Sequence, residues 1–295
     1  MNYWEYFVSY YNHYYKYTTD LLLNPRWTNP FYWVLFWILV CFIMEQVLPK
    51  KMNYSNIKRK GFWLDLFYVL LYDFIFIIFG FLAVTTLVEL IYLNSLKSIG
   101  VEPIKLFNIA DWPVWVQIIV LFVITDFVEY VAHYCMHRFD FLWAFHKVHH
   151  AQEEIGFASS RHFHWGEYLI GKPLHYLPLS MLGYSAEQFI YVSLIIFLFE
   201  AFFTHANVKI PFGPFNYVVN NPQTHFWHHA KNYPKKFKYG VNFSSVLNIW
   251  DVLFGFYYNP KNKNPLLGVH ESEVNVPKNF MGQMLYPLRH WFKKR

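Results

Sequence analysis

The stretch from Trp112 to His150, WPVWVQIIVLFVITDFVEYVAHYCMHRFDFLWAFHKVHH, governs how the rest of the chain is read. It begins as an apolar run long enough to cross a bilayer. It ends, without a break, in two histidine boxes: His133 and His137 in HxxxH, then His146, His149 and His150 in HxxHH. A later segment, HFWHH, repeats the HxxHH spacing with His225, His228 and His229. On a helix, residues three and four apart share a face, so each box is a row of imidazoles. Imidazole is the commonest metal-ligating side chain. Eight of them exceed the needs of one ion and fit two at about four nitrogens each. All-nitrogen coordination suits iron, zinc, copper or nickel, so the spacing alone leaves the metal open.

Composition points to lipid. Of 295 residues, 55% are hydrophobic and 23% aromatic while only 15% are charged, which is unusual for a soluble enzyme. The net charge of +6 forms no basic stripe of the kind that binds nucleic acid; Lys and Arg cluster instead at the edges of apolar runs. The two cysteines, Cys41 and Cys135, form no CxxC, which excludes disulfide scaffolds, zinc ribbons and cysteine-ligated iron–sulfur clusters. The opening MNYWEYFVSYYNHYYKY lacks the parts of a cleavable signal, so the first membrane helix is expected to direct insertion.

The pattern predicts an all-α integral membrane protein with about four transmembrane helices. The runs are Pro30 to Leu48, Phe62 to Leu93, Trp112 onward, and about Tyr168 to His205. The second carries Asp65, Asp73 and Glu89 and exceeds one span, so it is a tilted helix or a span plus an amphipathic turn. The fourth breaks near Gly183 and Ser185 and is a crossing pair or a re-entrant hairpin. Lys50, Lys51, Lys58, Arg59 and Lys60 put the first loop in the cytoplasm. The third span then delivers His133 to that side, where Lys231, Lys235, Lys236 and Lys238 also belong. Every box therefore lies on one helical cytoplasmic cap holding a di-metal site. The division expected is residues 1–111 as N-terminal membrane helices, 112–258 as the metal domain and 259–295 as a cytoplasmic tail. The host membrane is the inner membrane of a bacterium or the endoplasmic reticulum of a eukaryote.

DFVEYVAHYCMHRFDFLWAFHKVHH, followed by FFTHANVKIPFGPFNYVVNNPQTHFWHH and YGVNFSSVLNIWDVLFGFYY, resembles the fatty acid hydroxylase superfamily, which includes sterol desaturases and sterol methyl oxidases. The resemblance covers roughly Trp112 to Tyr258, in the order HxxxH, HxxHH, HxN, HxxHH, Trp-Asp-x-x-Phe-Gly. It implies a membrane-embedded centre of two iron ions that uses dioxygen to hydroxylate or desaturate a lipid. By that motif the ligands are His133, His137, His146, His149, His150, His225, His228 and His229, with His205 of HAN as a ninth. His164 and Glu167, in HWGE, match a His-Pro-x-Glu position and are assigned to the surroundings of the metals or the substrate entrance. Tyr134 stands where many members have Arg, Trp165 replaces proline, and Arg161 beside His162 is displaced, which leaves the substrate subclass open. No catalytic residue separate from the ligands is expected. Asp126 and Glu129, on the same span as His133, are candidate partners that orient imidazoles. Trp250, Asp251, Phe254 and Gly255 are expected to fold the C-terminal part against the metal helices. His13, His175, His270 and His290 are read as surface or interface residues.

A zinc hydrolase is disfavoured, since the chain has no HExxH and no Glu inside a box. A metal transporter would place its site near the bilayer midplane rather than just past span ends. An oxygenase needs electrons, and this sequence holds no iron–sulfur motif, no GxGxxG and no appended haem domain. A ferredoxin or cytochrome b5-like donor is therefore expected; the Lys231 to Lys238 segment reads either as a solvated or headgroup-facing charge run or as the landing surface of that donor.

Overall fold

A computed structural model describes residues 3–24, 30–75, 81–101, 109, 112–167, 169, 200–261, 263–270 and 276–293. Most of the fourth apolar region, with His175, Gly183 and Ser185, lies outside the described residues. The described residues form helices and loops with no strand; one isolated bridge joins Ala230 and Leu267. The long elements are α1 (Tyr3–Leu23), α2 (Pro30–Val47), α3 (Phe62–Leu70), α4 (Phe81–Ser98) and α5 (Val114–Arg138). Shorter helices follow: α6 (Asp140–His150), α7 (Pro222–His228), α8 (Ile249–Phe254), α9 (Phe280–Met284) and α10 (Tyr286–Lys293). The second apolar run is interrupted: α3 passes into a π turn at Leu71–Ile75, and α4 begins after residues 76–80, which are not described.

Among the described residues, α5 alone is long and apolar enough to cross a membrane. Its 25 residues span about 37 Å at 1.5 Å per residue. Pro113 starts it, its carbonyl accepting from the N–H groups of Val116 and Gln117. The first turns expose Val114, Trp115, Ile118 and Ile119, an uncovered apolar face of the kind that meets lipid or another protein. The later turns are packed, with Leu121, Thr125, Asp126, Tyr130 and Ala132 buried. Phe139, extended at φ −103° and ψ 119°, ends α5 and directly precedes α6. This one-residue corner folds HxxxH back over HxxHH.

The N-terminal helices pack against the histidine-bearing part of the chain. The loop after α6 inserts between α2 and α3, burying Phe157 and Ala158 against Cys41, Phe62 and Val69. The Glu45 carboxylate accepts the N–H groups of Phe157 and Asn207, each at 2.8 Å. Fully buried Asp65 accepts from Arg59 Nη1 at 2.6 Å, Ser159 Oγ at 2.5 Å and His162 Nδ1 at 2.5 Å. Arg59 and Lys51 are therefore buried parts of the fold, and the exposed cations of that loop are Lys50, Lys58 and Lys60. The C-terminal segment is packed onto the same loop. Gln283 Oε1 accepts from Tyr68 Oη at 2.7 Å and His162 Nε2 at 3.1 Å, and Trp291 stacks on Phe141.

Candidate metal centre

Nine histidines converge in two sets: His133, His137, His146, His150 and His228 in one, and His149, His205, His225 and His229 in the other. Within each set the ligating nitrogens lie within 4.8 Å of one another. This arrangement accounts for the HxxHH spacing. The outer pair of each box, i and i+4, enters one set, while the histidine at i+3 enters the other. The row of three read from the helix period is thus a pair plus a crossing member. The total of eight boxed histidines plus His205 divides five and four.

Ring tautomers explain why the sets suit cations. A carbonyl or carboxylate oxygen accepts only, so a ring nitrogen facing one must carry the proton. His133 Nδ1 donates to the Phe243 carbonyl at 2.7 Å, His137 to Tyr239 at 3.1 Å and His228 to Val241 at 2.9 Å. His149 donates to the His162 carbonyl and His205 to Ala201, both at 3.1 Å, and His146 to Glu167 Oε2 at 3.0 Å. Six Nε2 atoms are thereby left as bare lone pairs. Four of the six face other Nε2 atoms closely: 3.0 Å for His133–His146, 3.2 Å for His146–His150, 3.2 Å for His149–His205 and 3.0 Å for His205–His225. Converging lone pairs repel unless a cation lies between them. Nitrogens that share an ion at about 2.1 Å have such separations when they subtend roughly 90–100°. The buried Nε2 atoms of His137 and His228 have no hydrogen-bond partner, as a ligating atom would not. The donor set fits two metal ions.

The local sequence sets these imidazoles. Tyr239, Val241 and Phe243 lie at alternate positions of one non-helical segment, which presents three carbonyls to three imidazoles of the larger set. Gly240 within it has φ +125°, a conformation a side chain would strain. Side chains hold the segment from behind. The buried Asp251 carboxylate accepts the N–H groups of Phe243 and Ser244 at 2.9 Å each. Asn242 and Asn220 satisfy further carbonyls there: Asn242 Nδ2 donates to Thr224 and Tyr258, and Asn220 Nδ2 to Ser244 and Ser245. Asp126 accepts from Val246 N at 2.8 Å, Leu247 N at 3.1 Å and Trp250 Nε1 at 2.8 Å. Asp126 therefore fixes the carbonyl segment to α5 and does not itself bond an imidazole. At α7, Asn221 caps the helix by accepting from Gln223 N, and Pro222 occupies the first turn.

The other candidates separate clearly. Glu167 bonds His146 directly. His164 points elsewhere, its Nε2 donating to the Met284 carbonyl at 2.9 Å while its Nδ1 accepts from Gly166 N. Glu129 lines a cavity of about 160 Å³ beside the metal sets, together with Glu167, Glu200, Arg161, Phe163 and Met136. His133 and His146 of one set and His149, His205 and His225 of the other reach this cavity. Arg161 is held there by Asp73 at 3.0 Å. Sequence reasoning missed the carbonyl acceptors, the Glu45 and Asp65 clamps and Glu200; the acids had a signal, as charged residues within apolar runs.

Burial and then the neighbouring imidazoles hold His149, His150, His225, His228 and His229 well below the ordinary histidine pKa. Their neutral, ligating form is the one present at pH 7.

Comparison with known proteins matches residues 118–256 to a family model described as fatty acid hydroxylase. Ornithine lipid hydroxylase OlsE of Rhizobium tropici is 30% identical over 178 residues, 60% of this chain and 52% of its own length. Methylsterol monooxygenase 1-3 of Arabidopsis thaliana is 27% identical over 183 residues, 59% of each chain. Alkylglycerol monooxygenase of Xenopus tropicalis is 25% identical over 189 residues, 62% of this chain and 38% of its own. The chain thus spans about half the length of these relatives. No solved structure matches.

Proposed function

We propose that this chain, which matches the fatty acid hydroxylase family model over residues 118–256 and resembles lipid hydroxylases and monooxygenases, is a membrane-bound di-iron oxygenase that uses dioxygen and external electrons to hydroxylate a lipid. The oxidised position lies on an acyl chain, a polar headgroup or a sterol. The observation that carries this reading is the sorting of nine imidazoles into sets of five and four whose bare Nε2 atoms converge. Names of the relatives favour hydroxylation over desaturation, since they are called a hydroxylase and monooxygenases.

In this reading the nine histidines hold two iron ions. Bound iron supplies the reductive activation of dioxygen that oxidation of an unactivated C–H bond requires. The protein's residues supply the rest. The carbonyls of Tyr239, Val241 and Phe243, with Glu167, keep the imidazoles aimed so that little reorganisation is needed during turnover. The cavity of about 160 Å³ admits a small fragment of a lipid next to both sets. One oxygen atom enters the C–H bond and the other leaves as water, which consumes two electrons and two protons. Glu129 and Glu200, in the cavity wall, are carboxylates able to hold such a proton.

The exposed apolar turns of α5 support a membrane location. We assign about four spans, a cytoplasmic cap and the division 1–111, 112–258 and 259–295, with the last segment packed on the cap through Gln283 and Met284. The test is growth of expressing cells under heavy-isotope dioxygen, followed by lipid mass spectrometry. A lipid carrying a labelled hydroxyl, absent with His149→Ala, is expected. A new double bond without label would replace hydroxylase by desaturase, and an unchanged lipid profile would overturn the assignment.

A further inference from the structure

The metal centre has two unlike faces. His137 and His150 do not line the cavity; their rings contact Trp143, at centroid distances of 4.8 and 5.4 Å. Trp143 is half-buried, so it connects these imidazoles with the surface. His137 is also bonded to the Tyr239 carbonyl, which ties the centre to the basic run before it. That run divides in the fold. Lys231 lies 3.8 Å from Glu153, whereas Lys235, Lys236 and Lys238 are exposed. Exposed Arg138 lies 4.5 Å over the Tyr239 ring and 5.6 Å over Phe139, and Lys238 lies 5.2 Å over Tyr239. Phe139, under Arg138, is 52% exposed. Asp140, the acid next to them, sits 3.4 Å from His290.

We propose that this face, with Arg138 and Lys238 over Tyr239 and exposed Lys235 and Lys236 in the adjoining run, docks a small acidic one-electron carrier protein, and that Trp143 is where its electrons enter. The proposal rests on the di-iron oxygenase reading and adds the partner's class, its position and the entry residue. Arg138 and Lys238 at the Tyr239 ring, with exposed Lys235 and Lys236 in the same run, match an acidic partner by charge, and such complementarity acts mainly by steering encounter. The face meets ligands that the cavity leaves untouched, so a carrier can dock while a lipid occupies the other side. Each docking oxidises one carrier and passes one electron inward. Two dockings supply the pair that, with two protons from solvent, takes one atom of dioxygen to water.

The experiment compares iron-loaded wild type with the triple variant Lys235→Glu, Lys236→Glu, Lys238→Glu and with the corresponding triple Gln variant. Each is mixed anaerobically with a reduced plant-type [2Fe–2S] ferredoxin or, separately, with dithionite. With ferredoxin at low salt, the Glu variant is expected to be reduced on the order of 10- to 100-fold more slowly, and the Gln variant to fall between. The difference should shrink at high salt, while dithionite reduces all three alike. Equal ferredoxin rates for the three proteins would overturn the docking face. So would unaltered reduction accompanied by lost binding to vesicles containing anionic phospholipid, which would assign the cations to headgroups. If neither reductant changed the wild-type spectrum, the di-iron reading itself would fail.

Discussion

Asp251 tests whether the loop carbonyls really set the metal centre. Its carboxylate is fully buried and accepts two backbone N–H groups at 2.9 Å, those of Phe243 and Ser244. The Phe243 carbonyl in turn accepts the Nδ1–H of His133. Asp251→Ala leaves two buried donors unsatisfied, at about 1–3 kcal/mol each, so roughly 2–6 kcal/mol in all. That is a large part of the ~5–15 kcal/mol that holds a typical domain folded. Asp251→Asn is the more informative change, because it keeps the volume and one acceptor while its amide opposes one N–H. It should cost about 1–3 kcal/mol and, by loosening His133, weaken metal binding about 10- to 100-fold. The assays are thermal unfolding in detergent and competition titration against a chelator of known affinity. An Asp251→Asn protein that melts and binds metal like the wild type would show that the Phe243 carbonyl does not depend on this carboxylate to hold His133.

Three further outcomes follow from the same geometry. Glu167→Gln should lower metal affinity by about tenfold or more, read by chelator competition, because the charged acceptor of the His146 proton is lost. Gly240→Ala should destabilise by about 1–3 kcal/mol in thermal unfolding, since φ is +125° and the new Cβ would lie 3.3 Å from the Phe243 ring and 3.4 Å from His137 Nδ1. In the metal-free protein, burial depresses the pKa of His149, His150, His225, His228 and His229 on folding. The unfolded chain therefore binds protons that the folded chain does not. Their contribution is full above about pH 6.5 and is lost as pH falls toward the folded values. The apo melting temperature should drop on acidification from pH 7 to 5; a flat profile would contradict that burial.

Much of the site could be read from the chain, for a physical reason. Histidine spacing on a helix carries its own geometry, and the nine residues singled out by pattern and resemblance are the nine that converge. The division between the two sets was not legible, because it depends on the corner at Phe139, set by one extended residue with no distinctive side chain. The carbonyl acceptors were silent too, since every residue has a carbonyl and sequence does not say where it points. Asp126 had a visible charge, yet its partners are backbone N–H groups 120 and 121 residues away. Charge alone marks the basic loop as a membrane flank, whereas the fold uses its Arg59 to neutralise buried Asp65. Helix content followed from the apolar runs, and the clean span is the one that leads into the boxes.

If five and four imidazoles hold two iron ions, counting the metal bound per chain will show it. The protein should be expressed in iron-replete cells, purified in detergent, and its iron and zinc measured against total protein by mass spectrometry. About two iron atoms per chain are expected, with His150→Ala and His225→Ala, one in each set, both falling below that value. A reproducible value near one iron per chain in active protein, or zinc in place of iron with activity retained, would contradict it.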